Sequence, residues 1–163
     1  MSLGALLIAS FSDPEGLLPA AEVLDHSSIV ECWSAVDGHI DIVAKLSGQP
    51  SELLEQLQQL QGIEETQAFD LSDESGLMVC DARTSHSFVF LDVERQKNAA
   101  ICATLRKLEG IAFCSSTNDQ NEIIAVVSGN NFQMIDRIVN DQIRTIDGVL
   151  RLKQDRVINL RQI

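Results

Sequence analysis

The chain has 163 residues, 45% of them hydrophobic, and a formal net charge of −12. This apolar content supports a packed core, but half of the length would make a marginal core alone, which favours two small units packed together. Residues 1–71 contain twelve acidic residues and one lysine, so a basic surface for nucleic acid is not expected there, and no apolar run is long enough to cross a membrane.

The first half of the chain shows the pattern strand, helix, strand, strand, helix, strand. An almost continuous apolar run at its start is typical of a central strand buried on both faces. Asp37 and Gly38 give a tight-turn signal between the second and third strands, and Gly62 marks the end of the second helix. The predicted strands are residues 3–11, 29–36, 40–47 and 63–71, and the predicted helices are residues 17–27 and 51–61.

The second half repeats this order. Its second helix begins at the Asn131 cap, continues along one apolar stripe and ends at Gly148. The predicted strands are residues 88–91, 111–117, 122–128 and 149–160, and the other predicted helix is residues 99–109.

Matching residues at an offset of 81 positions indicate that the two halves arose by duplication. Asp41 matches Glu122, and the Ser47-Gly48 pair matches Ser128-Gly129. A fixed offset between similar segments is the mark of an internal repeat. We therefore predict a first domain at 1–71, a linker at 72–86 and a second domain at 87–163.

This order of elements predicts an α+β fold of two tandem ferredoxin-like βαββαβ units. Right-handed crossovers put the first and third strands of each unit in the centre and the second and fourth at the edges. Residues 123–127 are apolar on both faces, so the sheet face away from the helices must also be covered. We expect the two sheets to pack together as in a dimeric α/β-barrel, with one chain forming a pseudo-dimer.

Three short segments resemble the effector-binding (RAM) domain of the Lrp/AsnC transcriptional regulators. In that domain a Gly-x-x-Asp turn precedes an apolar strand, and a later helix ends in Gly-Val/Ile-x-x-Thr. The matching segments are residues 36–42, 60–66 and 143–149. The helix-turn-helix of the family is not expected, because residue 1 already begins the first strand and residues 72–86 are too few to form one.

The resemblance implies an amino-acid effector whose ammonium group binds Asp41 while backbone amides of the hairpin bind its carboxylate. Two alternatives remain open: Asp41 is a solvated edge charge, and Gly38 only takes a positive φ in the turn. His39 is either a ligand contact, a pH-sensitive group or an exposed bystander. The implied effector-binding residues are Asp37, Gly38, His39, Asp41 and Thr66, with Asp119, Gln120 and Glu122 as a weaker set in the second hairpin, which lacks the glycine.

No catalytic motif is recognisable. The chain has no G-x-S-x-G, P-loop or H-x-x-x-H pattern, and its four cysteines have neither C-x-x-C nor histidine at ligand spacing. The sequence therefore predicts no catalytic residue, no metal and no cofactor.

These observations favour a non-catalytic, cytoplasmic sensor of a small molecule, expected to be an amino acid, without its own DNA-binding domain. We expect it to form a homo-oligomer, such as a dimer, or to associate with a related regulator. The alternative is a protein- or peptide-binding adaptor or chaperone, like the maturation chaperone of periplasmic nitrate reductase. The second alternative is a small enzyme of the ferredoxin-like barrel type, such as a monooxygenase.

Overall fold

The structure, a computed structural model, describes residues 4–76, 84–117 and 119–158. Within these ranges it contains eight strands and four α-helices. In chain order they are β1 (Ala5–Phe11), α1 (Leu17–His26), β2 (Val30–Asp37), β3 (Ile42–Leu46), α2 (Ser51–Gln58), β4 (Ile63–Gly76), β5 (Ser85–Val93), α3 (Asn98–Lys107), β6 (Ile111–Thr117), β7 (Glu122–Gly129), α4 (Phe132–Ile138) and β8 (Val149–Ile158).

The helices form where the apolar residues recur at helical spacing. In α2, Leu53 and Leu57 are one turn apart and both are buried, as the amphipathic pattern predicted. The helix ends at Gln58, three residues before the predicted end. Gly62, predicted as its cap, lies in the turn before β4 with φ +90°, a backbone conformation that other residues rarely adopt. None of the helices in the described ranges combines the length and the apolar character needed to cross a bilayer.

The largest differences from the predicted boundaries lie in two places. The helix predicted to reach Gly148 ends as an α-helix at Ile138 and continues as a π-helical turn, Val139–Ile143. The segment predicted as a linker is shorter, because β4 extends to Gly76 and β5 already begins at Ser85. Residues 77–83 lie outside the described residues, and the domain boundaries stay a prediction.

The eight strands form one closed antiparallel barrel in the order β1-β3-β2-β8-β5-β7-β6-β4. Residues 4–76, here called the first half, contribute β1 to β4, and residues 84–158, the second half, contribute β5 to β8. The strands predicted as edges do not stay unpaired, since β2 pairs with β8 and β4 pairs with β6. The sheets are thus hydrogen-bonded to each other along both edges.

The apolar residues form three clusters. One cluster lies between the first-half strands and α1 and α2, and another lies between the second-half strands and α3 and α4. The third fills the barrel interior with residues from both halves, including Leu6, Phe88 and Phe113. This explains the strand that is apolar on both faces: Ile124 points into the barrel, whereas Ile123 packs against the helices.

Candidate functional site

A cavity of about 180 Å³ lies at one end of the barrel interior. Its wall combines the end of β1, the start of β4, the β2–β3 hairpin tip and parts of β5, β7 and β8. Both halves of the chain therefore contribute to it. Its charged and titratable wall residues are His39, Glu65, Asp92, Glu122 and Lys153.

A larger and more open groove of about 850 Å³ lies outside the barrel between α1 and α2. Its walls are formed by the outer faces of these helices and neighbouring loops. The barrel cavity instead adjoins a histidine that is paired with a buried carboxyl group, described next, and for this reason we take the cavity as the candidate site.

His39 at the hairpin tip contacts Asp155 of β8. The His39 Nδ1 atom lies 2.6 Å from Asp155 Oδ2; the His39 side chain is 30% exposed and that of Asp155 is wholly buried. Within the described residues, Asp155 Oδ2 makes no hydrogen bond of standard geometry, but at this distance two lone pairs would repel, so a proton must lie between the two atoms. Asp155 Oδ1 also accepts the backbone N–H of Ile40 at 3.2 Å.

The environment of Asp155 opposes its ionisation. Burial raises the pKa of the Asp155 carboxyl above its ordinary value, while the Ile40 amide and His39 act in the other direction. A buried carboxyl with one histidine and one amide as partners has a fixed orientation. It therefore fixes the position of the His39 ring, which also lies nearly perpendicular to the Phe90 ring at a centroid distance of 5.2 Å.

Gly38 is required by space, not by a positive φ. It is absent from the residues with left-handed backbone, so the turn explanation offered by the sequence is wrong. A Cβ atom built on Gly38 would meet the Asp155 carboxylate and would lie 2.9 Å from the backbone oxygen of Gln154. Only glycine lets the hairpin approach β8 closely enough for His39 to reach Asp155.

Asp92 and Glu122 form the acidic part of the wall. They face each other as direct partners across the β5–β7 ladder. Burial, followed by the nearby charges of Asp92 and Asp119, raises the pKa of Glu122, and Lys153 opposes this shift. Among the described residues no hydrogen-bond donor contacts the Glu122 carboxylate.

The predicted effector-binding residues of the first half are not gathered in one place. His39 lines the cavity, but the Asp41 Oδ2 atom accepts the backbone N–H of Phe11 at 2.8 Å. Thr66 accepts a hydrogen bond from Gln58 of α2 at 3.1 Å, on the opposite face of β4 from the cavity residue Glu65. Asp37 lies exposed at the end of β2.

Of the three residues predicted for the second hairpin, all of which the structure describes, Glu122 lines the cavity, whereas Asp119 and Gln120 do not. Asp119 accepts hydrogen bonds from the Thr117 hydroxyl at 2.6 Å and the Asn121 amide at 3.0 Å, and these bonds lower its pKa. Gln120, which matches His39 at the offset of 81 positions, has a left-handed backbone with φ +63°. The predicted effector site as a whole stays a prediction.

Sequence reasoning missed Asp155, Asp92, Lys153 and Phe90. The alternation of β8 puts Asp155 on the same face as Arg151 and Lys153, so in the sequence it looks like one more charge on a solvated face. The Ile40 amide that bonds to Asp155 lies 115 positions earlier in the chain. The pairing of β2 with β8 that brings them together has no local signature.

No protein-family model and no curated protein matches the sequence, but solved structures match the fold. The siroheme decarboxylase NirDL aligns with 96% of this chain and 71% of its own, at 8% identity and a TM-score of 0.73. A ferredoxin fold protein from Listeria monocytogenes, related to antibiotic biosynthesis monooxygenases, aligns with 98% of this chain and 96% of its own, at 6% identity and a TM-score of 0.53.

A transcriptional regulatory protein of the AsnC family from Pyrococcus furiosus is also similar, at 20% identity and a TM-score of 0.41. The alignment covers 44% of this chain and 49% of that one, a likeness too partial to carry an argument. The full-length matches show an α+β fold of ferredoxin-like type. Tandem effector-binding domains are not shown by them.

The prediction that the chain is not an enzyme is contradicted by these comparisons. The structures that align with nearly all of it include a siroheme decarboxylase and several proteins described as monooxygenases or anthrone oxidase-like. The prediction relied on missing motifs, but in this barrel the titratable groups come together from strands that are distant in the sequence. His39 and Asp155 are such a pair.

Proposed function

We propose that the chain is an enzyme that removes a proton from a small molecule bound in the barrel cavity. The observation that carries this proposal is the pairing of His39 with the buried Asp155 at the wall of the cavity. A histidine whose ring is held by a buried carboxylate is a common arrangement for a general base.

The roles follow from the contacts. His39 and the Ile40 amide favour the ionised form of Asp155 against the effect of burial. When His39 Nδ1 donates its hydrogen to that carboxylate, the neutral ring presents its lone pair at Nε2. Among the described residues nothing donates to this nitrogen, so Nε2 is available to accept a proton from a substrate. Asp155 then stabilises the imidazolium that forms, and it acts as a positioning residue.

The volume of the cavity limits the substrate. At about 180 Å³ it lies below the roughly 300–1,000 Å³ of ordinary ligand pockets, so it accepts a molecule of only a few heavy atoms. A NirDL structure contains an iron-uroporphyrin III analogue, a macrocycle larger than this cavity. The similar fold therefore does not imply a similar substrate here.

Deuterium exchange tests the proposal and does not require the substrate to be identified first. The chain is incubated in heavy water with a mixture of small metabolites, and incorporation of deuterium at carbon is measured by mass spectrometry. We expect incorporation that His39→Gln abolishes and that Asp155→Asn slows by about 10²–10⁴-fold, with a changed pH profile.

His26→Gln is the matched control, because His26 is an exposed histidine on α1 whose ring contacts the Glu22 carbonyl oxygen. It should retain the full exchange rate. Exchange that persists unchanged in His39→Gln would exclude His39 as the base.

A second candidate is regulatory binding of an amino acid in the same cavity. It is favoured by Lys153, which supplies a cationic group near Asp92 and Glu122 and so offers partners for both ends of a zwitterion. On this hypothesis the halves are equivalent to two subunits of a dimeric barrel, in the manner of tandem Lrp/AsnC effector-binding domains. Measuring the unfolding temperature with each of the twenty amino acids tests it. A ligand at a hundred times its Kd raises the free energy of unfolding by about 2.7 kcal/mol.

Association with a second copy or a related regulator belongs to the same proposal. Sedimentation of the chain with and without the amino acid that gives the largest shift tests it. A monomer under both conditions would remove the association.

A further inference from the structure

The cavity is asymmetric although matching positions of the two halves build it. Ile8 in β1 pairs with Gln67 in β4, and at the matching place in the second half Phe90 pairs with Lys153. Ser10 in β1, two residues after Ile8, matches Asp92 in β5. At these positions the first half contributes neutral side chains, whereas the second half contributes an aromatic ring and two charges.

The charges of the wall do not balance. Three carboxyl groups, those of Glu65, Asp92 and Glu122, face one lysine, Lys153. Glu65 and Lys153 are exposed, while Asp92 and Glu122 are half-buried. Like charges directly opposite each other in a ladder repel. The largely exposed Arg151 lies with its Nε 3.9 Å from Asp92 Oδ2 and offsets only part of this repulsion, so a cation between Asp92 and Glu122 would reduce it further.

The groups along the wall have a defined order. Asp92 and Phe90 are two residues apart on one face of β5, and the Phe90 ring in turn packs nearly perpendicular to the His39 ring. The acidic pair, the aromatic ring and the base therefore follow one another. A molecule with a cationic end at the acidic pair would extend along Phe90 toward the His39 ring.

We propose that the substrate is a small organic ammonium compound whose charged group binds between Asp92 and Glu122 and whose apolar part contacts Phe90. This inference rests on the proposed function, because it places the bond to be deprotonated beside His39. The ring face of Phe90 is a favourable neighbour for a cation.

Two further observations support a cationic and organic ligand. The whole chain has a net charge of −12, which attracts cations to an acidic cavity and repels anions. Within the described residues no three side chains of His, Cys, Asp or Glu are grouped so that they could hold a metal ion. The acidic pair is thus better suited to an ammonium group, which needs only two or three acceptors.

The test compares probes of one size and different charge. Binding of propylamine, propanol, propanoate and Mg²⁺ to the full chain is measured by isothermal titration calorimetry or ligand-observed NMR. We expect propylamine to bind at least about tenfold more tightly than propanol, a difference typical of a charge-assisted contact. Propanoate and Mg²⁺ should bind more weakly than propylamine.

Variants locate the binding. Asp92→Asn and Glu122→Gln should each weaken propylamine about tenfold or more while leaving propanol unchanged. Glu64→Gln is the matched control, since it removes one negative charge from the exposed outer side of β4 and should leave all affinities unchanged. Lys153→Gln keeps the test decisive if either acidic variant fails to fold, because loss of this cation should tighten propylamine binding.

Two results would overturn the inference. One is tighter binding of propanoate or Mg²⁺ than of propylamine. The other is a propylamine affinity that Asp92→Asn, Glu122→Gln and Lys153→Gln all leave at the wild-type value. Failure of the proposed function gives a different result. In that case propylamine binds at the acidic pair, in His39→Gln as in the wild type, but no amine exchanges deuterium. Deuterium exchange that occurs only in neutral molecules would instead support the proposed function and contradict an organic ammonium substrate.

Discussion

The two hairpin tips occupy matching places in the barrel and are built in opposite ways. The tip of the first half has a glycine with an ordinary backbone, and it packs against the buried Asp155 of the other half. The tip of the second half has a left-handed backbone at Gln120 without a glycine, and its Asp119 bonds within the same turn. One tip therefore contacts the opposite half, while the other satisfies its own hydrogen bonds.

Asp41 and Glu122, the carboxylates at matching positions beside the two tips, also differ in what they contact. Asp41 accepts the Phe11 amide and so holds the end of β1, whereas Glu122 faces the cavity beside Asp92. Equal positions in a repeated fold thus do not have equal roles. One carboxylate stabilises the fold, and the other is a source of electrostatic repulsion that a ligand can relieve.

The largest effect is expected at the first tip. Gly38→Ala should reduce the free energy of unfolding by about 2–3 kcal/mol, because the new methyl group has no room beside Asp155 and the Gln154 backbone. Chemical denaturation measures the loss. Gly48→Ala is the control, since its nearest neighbour would be the Ile29 side chain at 3.3 Å, and it should cost clearly less; equal losses would contradict the close packing of the tip on β8.

A matched pair of neutralising changes compares the two carboxylates. Asp41→Asn should cost about 1 kcal/mol, since a neutral acceptor replaces a charged one at the Phe11 amide. Glu122→Gln should instead stabilise the fold at neutral pH by about 0.3 kcal/mol after allowance for solvent screening.

The pH dependence of this pair follows from the raised pKa of Glu122. A carboxyl whose pKa is higher in the folded state favours folding below its unfolded value of 4.5, and this contribution is lost as the pH rises through the folded value. The greater stability of Glu122→Gln relative to the wild type should therefore disappear in thermal unfolding experiments below pH 4.5. An advantage that grows toward acidic pH would refute the interpretation.

The smallest effect is expected at the second tip. Gln120→Gly should stabilise the fold by about 0.5 kcal/mol, because relief of the left-handed strain slightly exceeds the entropy that glycine adds to the unfolded chain. Asn98 should keep its hydrogen bond to the backbone oxygen of residue 120. Denaturant midpoints measured with Gln120→Ala as the comparison would show no gain if the tip were not strained.

Most of the fold could be predicted from local patterns. The alternation of apolar residues, the helical spacing of Leu53 and Leu57 and the Gly62 turn all act over a few residues, and the elements they predict are present. The closure of the barrel was predicted only as contact between sheets, because the pairing of β2 with β8 depends on the exposed edges of two distant strands.

The candidate site was less predictable for the same reason. His39 and Glu122 stand out in the hairpins, but their partners Asp155 and Asp92 lie on other strands and share no spacing with them. Gly38 was misinterpreted, since a glycine needed for a close approach looks the same in sequence as one needed for a turn. For Asp41 the sequence offered a ligand contact or a solvated edge charge, and the hydrogen bond from the Phe11 amide was not among these alternatives.

The seam between β2 and β8 also determines how the molecule can fold. Its ladder contains three residue pairs, Ala35↔Ile158, Val36↔Val157 and Asp37↔Arg156, against seven in the ladder between β5 and β8. Closing it requires residues from opposite ends of the described chain, as does the hydrogen bond between Ile40 and Asp155, which are 115 positions apart. Contacts of such long range form slowly.

During synthesis the first half is made long before β8, and until then the apolar residues of β1 and β3 that face the barrel interior lack their covering strands. Such a half-formed barrel is a target for chaperones and for aggregation. In the finished protein the short seam is the place where the barrel opens most easily, and local opening there separates His39 from Asp155. Amide hydrogen exchange along β2 therefore reports directly on the integrity of the site.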